Sequence, residues 1–167
     1  MSEKDFGIPD KSKYSPVTNL EKGKIYQFFI QLHDALRAKR HTDLRLGDDK
    51  TNLLSWAIRK GMPPPGQKYL AVSQPDHAPV YGSWSGTIPQ GQYGAGKVEL
   101  ADQGKVLITK SNPNSLHFTT AGSSPERFAL IRPSKWKDKD WLLLNLTPEK
   151  LLDIEKKRYI NVPAEQA

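Results

Sequence analysis

The chain has 167 residues, a formal net charge of +7 at neutral pH and no cysteine. This length fits a single domain, and the lack of cysteine excludes disulfides, zinc–thiolate sites, iron–sulfur clusters and thiol catalysis. Four Trp, six Tyr and five Phe can fill an apolar core, which excludes a wholly disordered chain. No segment approaches the roughly 20 apolar residues of a membrane helix, and residues 1–10 lack the apolar stretch of a secretory signal. We therefore expect no membrane association and a cytoplasmic location, nucleoid-associated in a prokaryote.

Positive charges are concentrated in two parts of the sequence. Clusters of this kind favour a phosphate-bearing partner, because counterions are released when phosphates are neutralised. An ordinary solvated surface is the alternative interpretation. The clusters consist of Arg37, Lys39, Arg40 and Arg45 in the middle and of Arg132, Lys135, Lys137 and Lys139 near the end.

The first element in chain order is a flexible arm, which the polar composition of residues 1–24 predicts. The segment Tyr26–His33 then alternates between apolar and mixed positions, as a β-strand does. Its mixed face carries Gln31 and His33, and we expect this face to line the inside of a barrel, where ligands are bound.

Further short alternating or apolar segments follow at spacings of about 10 to 15 residues, separated by Gly- and Pro-rich turns. They predict about eight strands and a mainly all-β fold, either an antiparallel barrel or a sandwich. We expect the former, a small closed or partly open antiparallel β-barrel over residues 25–147. Residues 148–167 form the last part, a short C-terminal helix predicted over Pro148–Tyr159 followed by a tail. The predicted strands after the first are His41–Leu46, Leu53–Ile58, Tyr69–Ser73, two within Tyr81–Lys110, one around Phe118, Phe128–Arg132 and Trp141–Leu146.

His41, Asp43 and Arg45 share one face of a predicted strand, since side chains two residues apart point the same way. An imidazole and a carboxylate at this spacing can hold a divalent cation, and an arginine beside them can bind a phosphate bidentately. A hairpin return would bring His33 next to His41 and complete a set of two His and one Asp. The alternative is a surface hairpin with a plain His–Asp hydrogen bond.

His77 and Tyr81 form a second candidate pair, separated by a segment that contains Pro79. A histidine there can act as a general acid or as a hydrogen-bond donor in the transition state, and a tyrosine can donate to phosphate. A tyrosine packed in the core is the alternative. The Gly-rich segment 88–96 lacks the Lys-Ser/Thr ending of a P-loop, so it predicts a structural turn.

In combination, these segments resemble the 3′-phosphoesterase domain of bacterial DNA ligase D and its stand-alone relatives. The resemblance covers residues 25–147 in order. It rests on five motifs: Gln31-Leu32-His33, His41-Thr42-Asp43-Leu44-Arg45-Leu46, Ser55-Trp56-Ala57-Ile58-Arg59-Lys60-Gly61, Asp76-His77 to Tyr81, and Gly86-Thr87-Ile88-Pro89 to Gly96.

The resemblance implies a small β-barrel that binds a divalent cation, preferably manganese, with zinc or cobalt as substitutes. It assigns metal binding to His33, His41 and Asp43, phosphate contact to Arg45, and catalysis to His77 and Tyr81. The expected substrate-binding residues are Gln31, Arg37, Lys39, Arg40, Lys60 and Lys68.

Three features depart from the family pattern. The connector between His33 and His41 is two residues longer than usual, Thr42 replaces a usual Tyr, and Tyr69 replaces a basic residue beside Lys68. The even increment keeps both histidines on one face and predicts a larger loop beside the metal.

The expected function is a metal-dependent 3′-end-processing phosphoesterase that removes 3′-phosphates, and also 3′-ribonucleotides, from DNA ends in repair. Its partners would be DNA or RNA-containing DNA 3′ ends, with any ligase, polymerase or end-binding protein acting in trans on a monomeric domain. The alternatives are a non-catalytic module that binds nucleic-acid ends and a cupin-like metal enzyme that acts on a small molecule.

Overall fold

The computed structural model describes residues 14–37, 39–91 and 95–148. These ranges contain nine β-strands and two short 3-10 turns, Val17–Asn19 and Pro79–Tyr81. The strands are β1 (Ile25–Ala35), β2 (Lys39–Gly47), β3 (Leu53–Ile58), β4 (Lys68–His77), β5 (Gly86–Ile88), β6 (Gly96–Asn112), β7 (Ser115–Ala121), β8 (Pro125–Ile131) and β9 (Asp140–Asn145).

The strands form a closed antiparallel barrel. They follow the order β1-β2-β3-β4-β9-β8-β7-β6, and β6 pairs back with β1 to close the ring of eight. The short strand β5 lies outside the ring and pairs with the first residues of β6. The predicted all-β barrel is therefore confirmed.

The described ranges contain no α-helix, and nothing in them is both helical and long and apolar enough to cross a membrane. Of the predicted C-terminal helix Pro148–Tyr159, every residue after Pro148 lies outside the described residues. Tyr81 does not begin a strand, as the sequence suggested, but ends the 3-10 turn that starts at Pro79. Proline is tolerated at this first turn position because its missing N–H would have no partner there.

One apolar core fills the barrel, and each of the eight ring strands contributes to it. The inward positions alternate with outward ones, as the pleat requires. Trp56 and Trp141 meet edge to face inside the core, with ring centroids 6.1 Å apart. The core side chains from the strands are Phe28, Leu44, Leu46, Leu54, Trp56, Ile58, Ala71, Val106, Ile108, Leu116, Phe118, Phe128, Leu130, Trp141 and Leu143.

The polar face of β1 and β2 points away from this core, which corrects the expectation that it lines the inside of the barrel. Phe28 pairs with Leu46, and Ile30 pairs with Leu44, so these apolar side chains share the inner face. Gln31, Asp43 and His33 occupy the alternate positions and lie on the outer face of the sheet. Burial of the larger apolar set in the interior decides which face turns inward.

Residues 14–24 are packed against the barrel, so the predicted flexible arm does not describe this part of the chain. Val17 and Leu20 are buried in the barrel core. The backbone of Gly23 donates to the carbonyl of Ile108 over 2.7 Å, and Ile108 donates to the carbonyl of Lys24 over 3.1 Å. Residues 1–13 lie outside the described residues.

The β1–β2 hairpin is regular up to its turn and brings the two histidines together. His33 pairs directly with His41, and pairing continues to Ala35 and Lys39, which are only four positions apart in the sequence. The longer connector therefore extends the two strands, and the predicted larger loop beside the site is wrong. Lys39 takes up the chain reversal with a φ of 62°, in the left-handed region.

Candidate metal centre and catalytic face

The candidate site lies on the outer face of β1, β2 and β3, under a stretch of chain that we call the covering segment, residues 75–88. The segment ends β4, makes the 3-10 turn at Pro79–Tyr81 and continues into β5. Gln31, fully buried on β1, anchors it by donating through Nε2 to the carbonyls of Tyr81 (2.7 Å) and Trp84 (3.0 Å). Buried polar side chains on an outer strand face are explained by this cover.

Glycine at position 82 lets the covering segment approach the sheet closely. The Phe29 ring lies so near that a Cβ at position 82 would come within 2.5 Å of it. Any other residue would push the covering segment away from β1, and Tyr81 with it. The backbone position of Tyr81 therefore depends on a residue without a side chain.

His33, His41 and Asp43 are brought together as predicted. Each offers one ligand atom, and these atoms lie within 4.8 Å of one another. His33 Nδ1 is 3.2 Å from Asp43 Oδ2, and His41 Nε2 is 3.1 Å from Asp43 Oδ1. Two imidazole nitrogens and one carboxylate oxygen are a donor set suited to manganese, iron, cobalt or zinc.

The protonation of His41 shows that this donor set fits a cation. His41 Nδ1 lies 3.1 Å from the Lys39 carbonyl, which can only accept, so Nδ1 carries a proton. In the neutral ring, Nε2 then directs a lone pair at the Asp43 carboxylate, and a positive group must lie between these two acceptors. The same place favours a second proton: burial lowers the pKa of His41, but the hydrogen bond and the charge of Asp43 raise it more. A divalent cation would occupy the same place, with the Lys39 carbonyl fixing the ring.

Asp43 remains ionised although it is buried. Burial raises the pKa of its carboxyl group, but the charge of Arg45 and the hydrogen bonds from His33 and His41 hold the pKa well below its usual range. Arg45 Nη2 donates to Oδ2 of this carboxylate over 3.2 Å. Asp43 therefore presents a permanent negative charge between the two imidazoles.

Arg45 lies at the centre of the site and is only 2% exposed. Its Nε donates to Gln31 Oε1 (2.6 Å) and its Nη1 donates to Ser55 Oγ (2.8 Å). Its guanidinium carbon also lies 4.8 Å from the centre of the Tyr81 ring. The predicted phosphate contact would thus come from a group that already links β1, β2 and β3 to the covering segment.

The side chains of His77 and Tyr81 lie next to each other, so the loop between them folds in the way that the predicted pair needs. Their rings stack with centroids 4.7 Å apart, and the rings of Tyr81 and Trp84 stack with centroids 5.6 Å apart. His77 Nδ1 lies 3.1 Å from Arg45 Nη1. Burial, and after it the charge of Arg45, hold the pKa of His77 well below its ordinary value, so this ring is neutral at neutral pH.

Sequence reasoning assigned no role to Ser55 or Trp84, which also belong to the site. Ser55 Oγ accepts from Arg45 and lies 3.3 Å from His77 Nδ1, and Trp84 supports the ring of Tyr81. Ser55 is the polar residue between Leu53 and Ala57 on the outer face of β3. Because β3 pairs with β2 and Ser55 is opposite Arg45, this polar position could have indicated a site residue. No local pattern distinguishes Trp84, because its contacts depend on the covering segment.

The predicted substrate-binding cations are exposed and lie at one end of the barrel, where β1 and β3 end and β2 and β4 begin. Lys39 shares the strand face of His41, whereas Arg40 is paired with Asp34 and lies on the opposite face. Lys60 follows β3, and its ammonium lies 5.6 Å from the ring centre of Tyr69, which packs against the barrel core. Arg37 lies in the hairpin turn, and Lys68 begins β4. Neither residue is among the described hydrogen-bond or ion-pair partners of His33, His41 and Asp43.

Comparison with known proteins gives one consistent result. Residues 31–144 match the family described as the DNA ligase D 3′-phosphoesterase domain. The multifunctional non-homologous end joining proteins LigD of Mycobacterium bovis and Mycolicibacterium smegmatis are 38% identical over 114 residues and 35% identical over 137 residues, which cover 63% and 74% of this chain. The corresponding LigD protein of Pseudomonas aeruginosa is 46% identical over 81 residues, or 48% of this chain.

The match spans only a small part of these relatives, namely 14%, 17% and 9% of their lengths in the order given. The matched stretch contains β1 from Gln31 onward, the candidate metal ligands, Arg45, the covering segment and the strands up to β9. The fold, the five motifs and the family match agree, and the chain belongs to the DNA ligase D 3′-phosphoesterase domain family.

Proposed function

We propose that this protein is a metal-dependent phosphoesterase that removes phosphate, and also 3′-terminal ribonucleotides, from the 3′ ends of DNA during repair. Family membership supports a role in DNA end processing. The finer assignment is carried by one observation: the ligand atoms of His33, His41 and Asp43 lie within 4.8 Å of one another on the same face as Arg45 and His77. A module that only binds ends has no need for such a donor set.

His33, His41 and Asp43 would hold a divalent cation, with manganese preferred and zinc or cobalt also compatible with the nitrogen and oxygen donors. A bound cation would neutralise phosphate oxygens and stabilise the negative charge that develops in the transition state. Asp43 stays ionised and would therefore offer the cation a negative charge. The Lys39 carbonyl holds the His41 ring so that Nε2 faces Asp43.

His77 would contact the phosphate as a neutral hydrogen-bonding group. Its depressed pKa argues against a cationic general acid at neutral pH, since the ring would already have lost that proton. Arg45 contributes positive charge beside it, and the Pro75 carbonyl, 3.1 Å from His77 Nδ1, holds the ring. Tyr81, whose ring stacks with those of His77 and Trp84, would orient the phosphate group.

The proposed partners are DNA 3′ ends, including ends that carry ribonucleotides, and a ligase, polymerase or end-binding protein that completes the repair in trans. The basic end of the barrel, which carries Arg37, Lys39, Lys60 and Lys68, would attract such a polyanion. We propose a monomeric domain.

The test is release of inorganic phosphate from a primer–template with a 3′-phosphate, after treatment with chelator and again after addition of manganese. We expect activity only with metal. His41→Ala should abolish it, while His117→Ala, a histidine change on the outer face of β7, should not. Metal-independent binding without turnover would support the end-binding module, and turnover confined to small phosphate-free substrates would support a cupin-like enzyme.

A further inference from the structure

The second basic cluster of the sequence forms a surface that the proposed chemistry does not use. We call it the basic–aromatic surface and define it as Tyr14, Lys135, Trp136, Lys137 and Lys139. We propose that it binds the backbone and bases of the substrate nucleic acid several nucleotides inward of the reacting 3′ end. This inference rests on the proposed function for its substrate and adds a second contact region to it.

The loop between β8 and β9 presents these residues in a fixed arrangement. Its backbone makes two successive turns, in which Trp136 donates to the carbonyl of Pro133 and Asp140 donates to that of Lys137, both over 3.0 Å. Arg132 fixes the start of the loop by donating from Nη2 and Nε to Asn114 Oδ1 over 2.7 and 3.1 Å. Because Arg132 is engaged in this way, the cations left for a partner are the three lysines.

Trp136 is 41% exposed, although tryptophan usually buries its large apolar surface. It stands between two exposed lysines, and on the same surface the Lys139 ammonium lies 4.7 Å from the ring centre of the half-exposed Tyr14. Aromatic rings on which bases stack, combined with cations that contact phosphates, are typical of surfaces that bind single strands and strand ends. Asp138 and Asp140 reduce the charge of the loop, so stacking on Trp136 is a necessary part of the proposal.

Two contacts connect this surface to the candidate site. The carbonyl of Lys139 accepts from the backbone N–H of Ser73 on β4 over 2.7 Å. Ser15, next to Tyr14, donates from its backbone N–H and from its hydroxyl to Asp76, the neighbour of His77. The surface therefore lies along the strand that ends at His77.

The distance along β4 indicates which nucleotides are contacted. Ser73 and His77 are four residues apart, or roughly 13 Å of extended strand. Phosphates of one strand in a DNA duplex are spaced about 3.4 Å along the axis. The basic–aromatic surface would therefore contact the DNA strand about four nucleotides from its 3′ end. A substrate shorter than this cannot reach it.

The experiment compares a 3′-phosphorylated dinucleotide with a labelled primer–template of about twelve base pairs, beyond the reach estimated above. The variants are Trp136→Ala and the combined change Lys135→Gln, Lys137→Gln and Lys139→Gln. We expect each to bind the long substrate about tenfold more weakly by fluorescence anisotropy and to raise its KM, with KM for the dinucleotide unchanged. Trp136→Phe should restore most of the binding.

The matched control replaces three other exposed lysines, Lys22, Lys50 and Lys110, by glutamine and so removes the same charge. Equal weakening in this control, or no difference between the substrates, would overturn the proposal. Unchanged affinity in the loop variants would also overturn it. Anisotropy needs no turnover, so an inactive wild-type protein would contradict the proposed function and leave this test intact.

Discussion

The Nε of Arg45 donates a hydrogen bond to Oε1 of Gln31 over 2.6 Å, while Nε2 of the same glutamine donates to the carbonyls of Tyr81 and Trp84. One buried amide thus connects the arginine at the centre of the site to the segment that covers it. The two ends of the amide have different partners, so substitutions can separate them.

Gln31→Glu should preserve the bond from Arg45 and lose both donors to the covering segment, whereas Gln31→Leu should lose all three bonds. Each buried group left without a partner costs about 1–3 kcal/mol. We expect a lower kcat for both variants and a larger loss of thermal stability for Gln31→Leu, as measured by calorimetry and steady-state kinetics. Wild-type kcat in Gln31→Glu would contradict a role for the covering segment in catalysis.

His41→Ala and Asp43→Ala should both abolish metal-dependent turnover, but they should differ in stability. His41 is half-buried and Asp43 is buried against the Arg45 guanidinium. Removing the carboxylate leaves that charge unpaired, at a cost of about 3–5 kcal/mol, so we expect the fold to stay intact in His41→Ala only. Thermal denaturation of the two variants in chelator measures the difference, and equal melting temperatures would contradict it.

Nucleic-acid binding should weaken steeply with salt, and the cations of the β1–β2 hairpin should contribute to the slope. Replacing Arg37, Lys39 and Arg40 by alanine should reduce the log–log slope by about 0.7–0.9 for each phosphate contact that is lost. Because Arg40 lies on the strand face opposite His41, Arg40→Ala alone should have the smallest effect. An unchanged slope in the triple variant would move the binding surface elsewhere.

Deleting Ala38 and Lys39 together should retain metal binding, with the carbonyl of Arg37, then two positions before His41, in the place of the Lys39 carbonyl. The pair of Asp34 with Arg40 would then close a three-residue turn, as Ala35 and Lys39 do now, and His33 would still face His41. Deleting Ala38 alone leaves Leu36 and Arg37 as a two-residue turn, which requires positive φ at residues poorly suited to it. Manganese affinity by calorimetry should therefore fall in the single deletion and persist in the double deletion, and the reverse order would contradict this hairpin.

The buried, neutral His77 should make stability depend on acid. Its pKa is lower in the folded chain than the ordinary value of 6.5, so unfolded chains bind the proton first as the pH falls. The stabilisation from this group is complete above about pH 6.5 and is lost as the pH falls through the lower folded pKa. In chelator, the melting temperature of wild type should fall more between pH 7 and 5 than that of His77→Gln. Both chains keep His41, whose raised pKa acts in the opposite direction, so it does not affect the comparison.

The strand pattern could be predicted because alternation is a local property. The polar set of Gln31, His33, His41 and Asp43 follows from a two-residue period, and the even offset of eight positions between the two histidines keeps them on one face. A hairpin is enough to bring these side chains close together, because its two strands are neighbours in the sequence. Thus the candidate metal-ligand set, the all-β class and the approximate positions of most strands were available from the residues alone.

Which face of those strands turns inward was decided by the closed barrel. Apolar residues from eight strands fill one interior. Which face of each strand contributes to it depends on how the strands pair around the ring. The same holds for the covering segment: His77 reaches Arg45 and Ser55 across contacts that are 32 and 22 residues apart in sequence. The sequence by itself determined a strand face able to bind a metal, through local periodicity. Only the tertiary structure turned this face outward and placed the stacked rings of His77, Tyr81 and Trp84 over it, because the close approach of Gly82 to Phe29 and the hydrogen bonds from Gln31 hold the covering segment there.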